Sequence, residues 1–182
     1  MAETFDLLFK GATVVNQDGA SEADIGVRDG RIAAIGSIKK KQAGEAVDVR
    51  GLHILPGVID TQVHFREPGL EHKEDLESGS RSAVLGGVTA VFEMPNTRPA
   101  TTSAEALADK VSRATGRMFC DFAFFIGATR DNVDQLAELE LLPGAAGVMA
   151  ASRGCCSYQR AYRSARGAAL TPWAKTESPT VR

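Results

Sequence analysis

Residues 57–69 read GVIDTQVHFREPG. An apolar, β-branched start that turns polar at every second residue describes a strand whose far end carries chemistry. Alternate side chains of an extended strand share a face, so Asp60, Gln62, His64 and Arg66 are expected to look the same way. The residues downstream of this strand decide the fold. A helix is expected from about Glu74 to Leu85, closed by Gly86-Gly87, where glycine accepts the left-handed cap conformation. Then comes a second apolar strand, VTAVFEM at 88–94, and polar residues again gather at its carboxyl end.

The strand and helix rhythm repeats. In TRPATTSAEALADKVSRAT, 97–115, Thr102 and Glu105 have the spacing of a capping box, and Leu107, Ala108, Val111 and Ala114 make a helical stripe. CDFAFFIGAT, 120–129, is apolar almost throughout, as suits a strand buried on both faces. A further helix is expected from about Asp131 to Leu142, closed by Pro143-Gly144, and a fourth strand at AAGVMA, 145–150. Alternation of this kind predicts an α/β protein with a parallel sheet. No GxGxxG or GxxxxGK[ST] follows any strand, so the nucleotide site of a doubly wound sheet is missing. Polar sets at successive strand ends suit a (β/α) TIM barrel, where they converge on one mouth.

The first fifty residues have a different character. Phe5, Leu7 and Phe9 alternate, and DIGVRDGRIAAIG, 24–36, reads as a hairpin turning at Asp29-Gly30, with Ile25 and Val27 facing Ile32 and Ala34. The expected organisation is a small β-sandwich segment over 1–50, the first half of a barrel over 51–148, and a basic tail over 149–182. The tail, rich in Ala, Arg, Ser, Gly and Cys, shows neither helical stripe nor strand alternation. It reads either as a coding frame that slips near codon 148 or as a disordered extension.

Composition narrows the classes. Apolar residues make up 43% and charged residues 24% of the chain, the balance of a water-soluble globular protein. A net charge of -2 gives no basic footprint for nucleic acid or anionic lipid. The amino terminus, MAETFDLLFKGATVVN, alternates instead of running apolar, so it predicts neither signal peptide nor membrane span. Three cysteines, two of them adjacent, do not make a disulfide framework. The expected location is cytoplasmic.

LHILPGVIDTQVHFREPG, 52–69, followed by SAVLGGVTAVFEMPNTRP, 82–99, resembles the opening of the cyclic amidohydrolases, and among them the dihydroorotases. In that family a D-x-H-x-H-x-R strand holds zinc through its two histidines, while the Arg and an Asn of an MPNT segment grip the substrate carboxylate. The resemblance implies His64 as a metal ligand, Arg66 and Asn96 as substrate-binding residues, and Gln62 at the position of the first metal-binding His. It implies a metal-dependent, reversible closure of N-carbamoyl-L-aspartate to dihydroorotate in pyrimidine biosynthesis. Such a site needs a polarised carbonyl, an activated water and a fixed carboxylate. Arg offers that carboxylate a planar fork of donors.

The resemblance ends near Val148, before the family's fourth-strand Lys or Asp, its later His ligands and its terminal Asp. The expectation is therefore an incomplete barrel with an open sheet edge, retaining no catalytic residue of its own. Of the one or two zinc ions of the family, it would bind zinc weakly or not at all, and turnover is not expected. Two other readings stand beside this one. One is a non-catalytic dihydroorotase-like protein that binds a pathway partner, a carbamoyltransferase or a second copy of itself. The other is a hydrolase of another cyclic amide, of hydantoinase or allantoinase type.

Overall fold

The computed structural model describes residues 4–150 and divides the chain into two compact units at Pro56 and Gly57. The reading of 149–182 as a non-matching tail falls, apart from its first two residues, outside the described residues.

The first unit is a five-stranded sheet. Strand β1 (Phe5–Asn16) pairs antiparallel with β2 (Gly19–Arg28), which pairs with β3 (Arg31–Gly36). On its other edge β1 runs parallel to β4 (Ala43–Asp48) and to the two-residue β5 (His53–Ile54). The β2–β3 turn is the expected one: Asp29 and Gly30 take φ of 52° and 68°, the pair of positive angles that matches strand twist. Its register differs from simple alternation. Val27 pairs with Ile32, but a slip between Gly26 and Val27 puts Ile25 opposite Ile35. Asp24 explains how the sheet tolerates a buried carboxylate. It accepts hydrogen bonds from Lys10 Nζ at 2.6 Å, Gly11 N at 2.9 Å and Ile38 N at 2.8 Å, which hold its carboxyl below the usual range although burial opposes them.

The second unit is a four-stranded parallel sheet: β6 (Val58–Val63), β7 (Val88–Glu93), β8 (Asp121–Ala128) and β9 (Ala145–Ala150). Spatial order follows chain order, β6-β7-β8-β9. Parallel crossovers are right-handed almost without exception, so a strand order that never reverses puts every connection on the same face. A doubly wound sheet needs a reversal, whereas a barrel progresses in this way. Helices α1 (Leu76–Leu85) and α2 (Ala104–Ala114) are the first two crossovers. Phe122, Phe124 and Ile126 of β8 alternate onto the helix side, where they meet Leu76, Val91 and Leu107. Phe124 and Ile126 are fully buried, each worth roughly 1.5–3 kcal/mol relative to exposure.

The barrel is incomplete within the described residues. Val58 and Ile59 of the edge strand β6 are 56% and 53% exposed, although their sequence reads as a core strand. Among the described residues no helix is long and apolar enough to cross a membrane.

Three local expectations are corrected. The amino-terminal cap of α2 is Ser103, whose Oγ accepts from Ala106 N at 3.2 Å; Thr102 stands outside the helix. The helix expected over 131–142 shrinks to a 3₁₀ turn at Val133–Gln135 and a single turn, α3 (Leu136–Leu139). Asn132 is the cause: its buried side chain accepts from Thr129 N and donates to Thr102 O and Gly127 O, fastening the connection to β8 instead of opening a long helix. The third correction concerns the site strand itself.

Candidate functional site

Strand β6 stops at Val63, so the expected common face of Asp60, Gln62, His64 and Arg66 does not run its full length. Only the first two lie on the strand. Asp60 turns its carboxylate to the local backbone, accepting from Gln62 N at 2.9 Å, and Gln62 is exposed. Arg66 takes a φ of 68°, left-handed for a non-glycine residue, so strand alternation no longer sets its direction. A strained backbone of this kind is a feature that surrounding contacts must maintain.

Those contacts join the segment after β6 to the segment after β7. Met94 N donates to Val63 O at 3.0 Å, and Arg98 N donates to Pro68 O at 2.9 Å. Gly69, at φ 90°, passes so close that a Cβ there would lie 2.1 Å from Arg98 O, which is why only glycine fits. Between these straps, His64 Nδ1 lies 2.8 Å from Asn96 Oδ1. An amide oxygen only accepts, so the contact is a hydrogen bond when Nδ1 carries a proton, and in the neutral ring that tautomer has its lone pair on Nε2. The Asn96 amino group is left as a donor.

Two buried carboxylates support the segments from below, and neither was singled out from the sequence. Glu67, adjacent to Arg66, accepts from Arg117 Nη1 at 2.8 Å and Nη2 at 3.2 Å, and from Leu76 N at 3.0 Å. Arg66 therefore does not form the surface pair with Glu67 that their adjacency suggests; Glu67 is taken by Arg117. Glu93, last residue of β7, is 1% exposed, and so is its partner Lys110 on α2, with Lys110 Nζ 2.8 Å from Glu93 Oε2. Burial pushes the Glu93 carboxyl up to about 7, opposed by the Lys110 charge and by the backbone amide of Phe65. Burial also lowers the Lys110 ammonium, opposed by Glu93. Lys110 Nζ reaches Met94 O at 3.4 Å as well and lies 5.2 Å from the Phe124 ring centre. A charged residue on the inward side of a buried strand was the sequence signal for Glu93.

The site so assembled unites His64 with Asn96. No contact among the described residues ties the side chains of Gln62 or Arg66 to that pair. A cleft of about 390 Å³ lined by Pro68, Pro99, Thr101 and Lys110, among others, does not include His64, Arg66 or Asn96. As a metal site the residues do not suffice. Among the described residues no three His, Cys, Asp or Glu side chains converge, and a single imidazole with a neutral amide nearby falls short of the three protein ligands a zinc centre needs.

A singly wound parallel sheet with polar residues at its strand mouths, preceded by a small β-sheet unit, is the architecture of the barrel amidohydrolases. Similarity to known proteins agrees. Residues 51–151 match the sequence profile described as Dihydro-orotase-like, and residues 1–54 match that of the urease alpha-subunit N-terminal domain. The chain is 40% identical over 164 residues to an allantoinase of Rubrobacter xylanophilus, covering 90% of this chain and 33% of that protein. It is 37% identical over 137 residues to an allantoinase of Deinococcus radiodurans, covering 75% and 31%. Among solved structures, an L-hydantoinase (dihydropyrimidinase) from Arthrobacter aurescens superposes with a TM-score of 0.73 at 34% identity, over 80% of this chain and 32% of that one. The chain belongs to the dihydro-orotase-like family of cyclic amidohydrolases. It spans about a third of the length of the curated relatives it matches.

Proposed function

We propose that this chain is the amino-terminal part of a hydrolase acting on the C–N bond of a cyclic amide. The observation that carries the reading is the His64–Asn96 contact of 2.8 Å, which joins the mouths of two neighbouring barrel strands in a chain 40% identical to an allantoinase. Ring opening adds water to an amide carbonyl, breaks the carbonyl-to-nitrogen bond and delivers a proton to the leaving nitrogen. With Nδ1 donating to Asn96, a neutral His64 offers Nε2 to accept a proton or to meet an electrophile. Asn96 offers its amino group to an oxygen of the substrate. Zinc is the metal the family resemblance implies, but the described residues alone do not hold it, so the remaining ligands must come from outside residues 4–150.

Two substrate readings differ by specific observations. Similarity to allantoinases and hydantoinases supports a cyclic ureide of hydantoin type, with the dihydroorotase reading the narrower alternative. What supports dihydroorotate is Arg66, which enters none of the ion pairs among the described residues and so keeps its guanidinium for a substrate carboxylate. The binding reading, with a carbamoyltransferase or a second copy as partner, draws its support from the incomplete ligand set.

Ring-opening assays separate these. The 182-residue chain is expected to turn over none of allantoin, hydantoin and dihydroorotate. The same sequence joined to the remaining barrel strands is expected to open a hydantoin-type ring in preference to dihydroorotate. Failure of that longer protein on every cyclic amide would overturn the enzymatic reading, and preference for dihydroorotate would restore the narrower one.

A further inference from the structure

The buried Glu93–Lys110 pair has no role in holding β7 and α2 together that an apolar pair could not fill. Two fully buried charges are costly, and exchanging such a pair for apolar residues of similar volume is often neutral or stabilising. Its placement suggests what it does instead. Glu93 stands opposite Val63, the residue before His64, in the β6–β7 ladder. Lys110 Nζ reaches the carbonyl of Met94, two residues before Asn96. One ion pair therefore acts on both segments that meet at the His64–Asn96 contact. Neither carboxylate oxygen completes a hydrogen bond of good geometry, so the hold is that of a charge on the neighbouring Lys110 ammonium.

We propose that Glu93 and Lys110 are positioning residues that set the relative placement of the segments after β6 and β7, and thereby fix His64 as the Nδ1–H tautomer with Nε2 free. Their importance for catalysis rests on the cyclic amidohydrolase reading, but the tautomer itself is independent of any substrate.

The test is made on the full chain with ¹⁵N-labelled histidine. Three histidines are present, and His64→Gln assigns the resonances. Ring nitrogen shifts distinguish the tautomers, in solution or, by solid-state spectroscopy, in associated material. The unsubstituted chain is expected to show His64 mainly as Nδ1–H. The double variant Glu93→Met, Lys110→Met leaves no orphaned charge and is expected to fold, with circular dichroism and melting temperature at or above those of the parent. In it the ratio of Nδ1–H to Nε2–H should fall by about fivefold, the equivalent of one net hydrogen bond. A folded double variant that keeps the parent ratio overturns the proposal, as does a parent chain with His64 mainly as Nε2–H. Should the double variant unfold, Glu93→Gln combined with Lys110→Met decides: it keeps volume and an acceptor oxygen at position 93 and orphans no charge, so a drop of about twofold supports the proposal and an unchanged ratio overturns it. A negative ring-opening assay leaves these outcomes untouched, so the two readings fail separately.

Discussion

Glu67 and Arg117 meet in a two-pronged ion pair, 2.8 and 3.2 Å, across fifty residues of sequence, and Glu67 is the residue that follows the left-handed Arg66. The same carboxylate accepts the first amide of α1, Leu76 N, where the positive end of the helix dipole favours a negative charge. Glu67 thus binds the candidate substrate-binding segment to α1 and to the end of α2 at one point. Arg117→Ala leaves a carboxylate that is 4% exposed with only Arg113 at 3.7 Å as a counter-charge. The expected loss is about 2 kcal/mol in urea unfolding, moderated because Arg117 itself is partly solvated. Glu67→Ala should cost more, about 3 kcal/mol, since it also leaves Leu76 N of α1 without its acceptor, although the Asp75 cap stays in place. A loss under about 0.5 kcal/mol for both variants would show the pair to be incidental.

The corrected helix cap gives a second measurement. Ser103→Ala removes the oxygen that accepts from Ala106 N and should destabilise by about 1 kcal/mol. Thr102→Ala should cost less, because its backbone carbonyl, not its side chain, receives the Asn132 amide. Equal losses at the two positions would return the cap to Thr102.

Stability should depend on pH through Glu93. Its folded carboxyl is pushed up to about 7 from an ordinary 4.5, chiefly by burial, so between those values the folded chain keeps a proton that the unfolded chain has released. Stability then falls as pH rises through this window, with a slope of at most about 1.4 kcal/mol per pH unit. Lys110 acts oppositely: its lowered folded value means the unfolded chain binds the extra proton just below 10.5, so stability rises with pH there. The difference in stability between the parent and Glu93→Met, Lys110→Met should therefore dip near neutral pH. Parallel profiles for the two proteins between about pH 5 and 7 would contradict it.

Gly69→Ala tests the strap directly. The added methyl would sit 2.1 Å from Arg98 O at a φ of 90° that alanine resists, so the two segments must separate. The expected cost is about 2 kcal/mol or more, accompanied by loss of the His64 Nδ1–H signature. A variant as stable as the parent would mean that the two segments do not need this approach.

What the sequence disclosed was whatever local rules govern. The Asp29-Gly30 turn, helices α1 and α2 and the parallel β7 and β8 follow from turn chemistry, apolar period and β-branched runs, and all appear where expected. His64 and Asn96 were named through the family resemblance of the segments that carry them, one as a metal ligand and the other as a substrate-binding residue, and their contact was not legible from spacing. Nor was Lys110 legible. On a helix whose stripe is Leu107, Val111 and Ala114 it reads as an ordinary solvated lysine, and only the buried partner seventeen residues upstream explains its 1% exposure. Asn132 misled for the same reason: its side chain is spent on Gly127 O and Thr102 O, contacts that no local pattern announces. The end of β6 at Val63 likewise depends on straps to the next segment and not on the alternation that continues through Arg66.

Gln62 offers the last test, because the strand end decides whether positions 62 and 64 still share a face. Gln62 lies on β6 and His64 one residue beyond it, while Met94 N binds the carbonyl of Val63 between them. If that hydrogen bond keeps Val63 extended, Gln62→His places two imidazoles at alternate positions, the spacing of a metal-binding pair. In the Nδ1–H tautomer proposed above, Nε2 of His64 is the nitrogen that binds, and the Asn96 oxygen on the other side fixes the ring. Zinc affinity, followed by the ¹⁵N shift of His64, should then tighten by about tenfold over the parent chain, since the second ligand adds a bond without reorganising the first. Two ligands still fall short of a closed site, so added zinc should raise the unfolding free energy by no more than about 1–2 kcal/mol at accessible concentrations. An unchanged affinity would show that the turn after Val63 has already moved His64 off the face that Gln62 occupies.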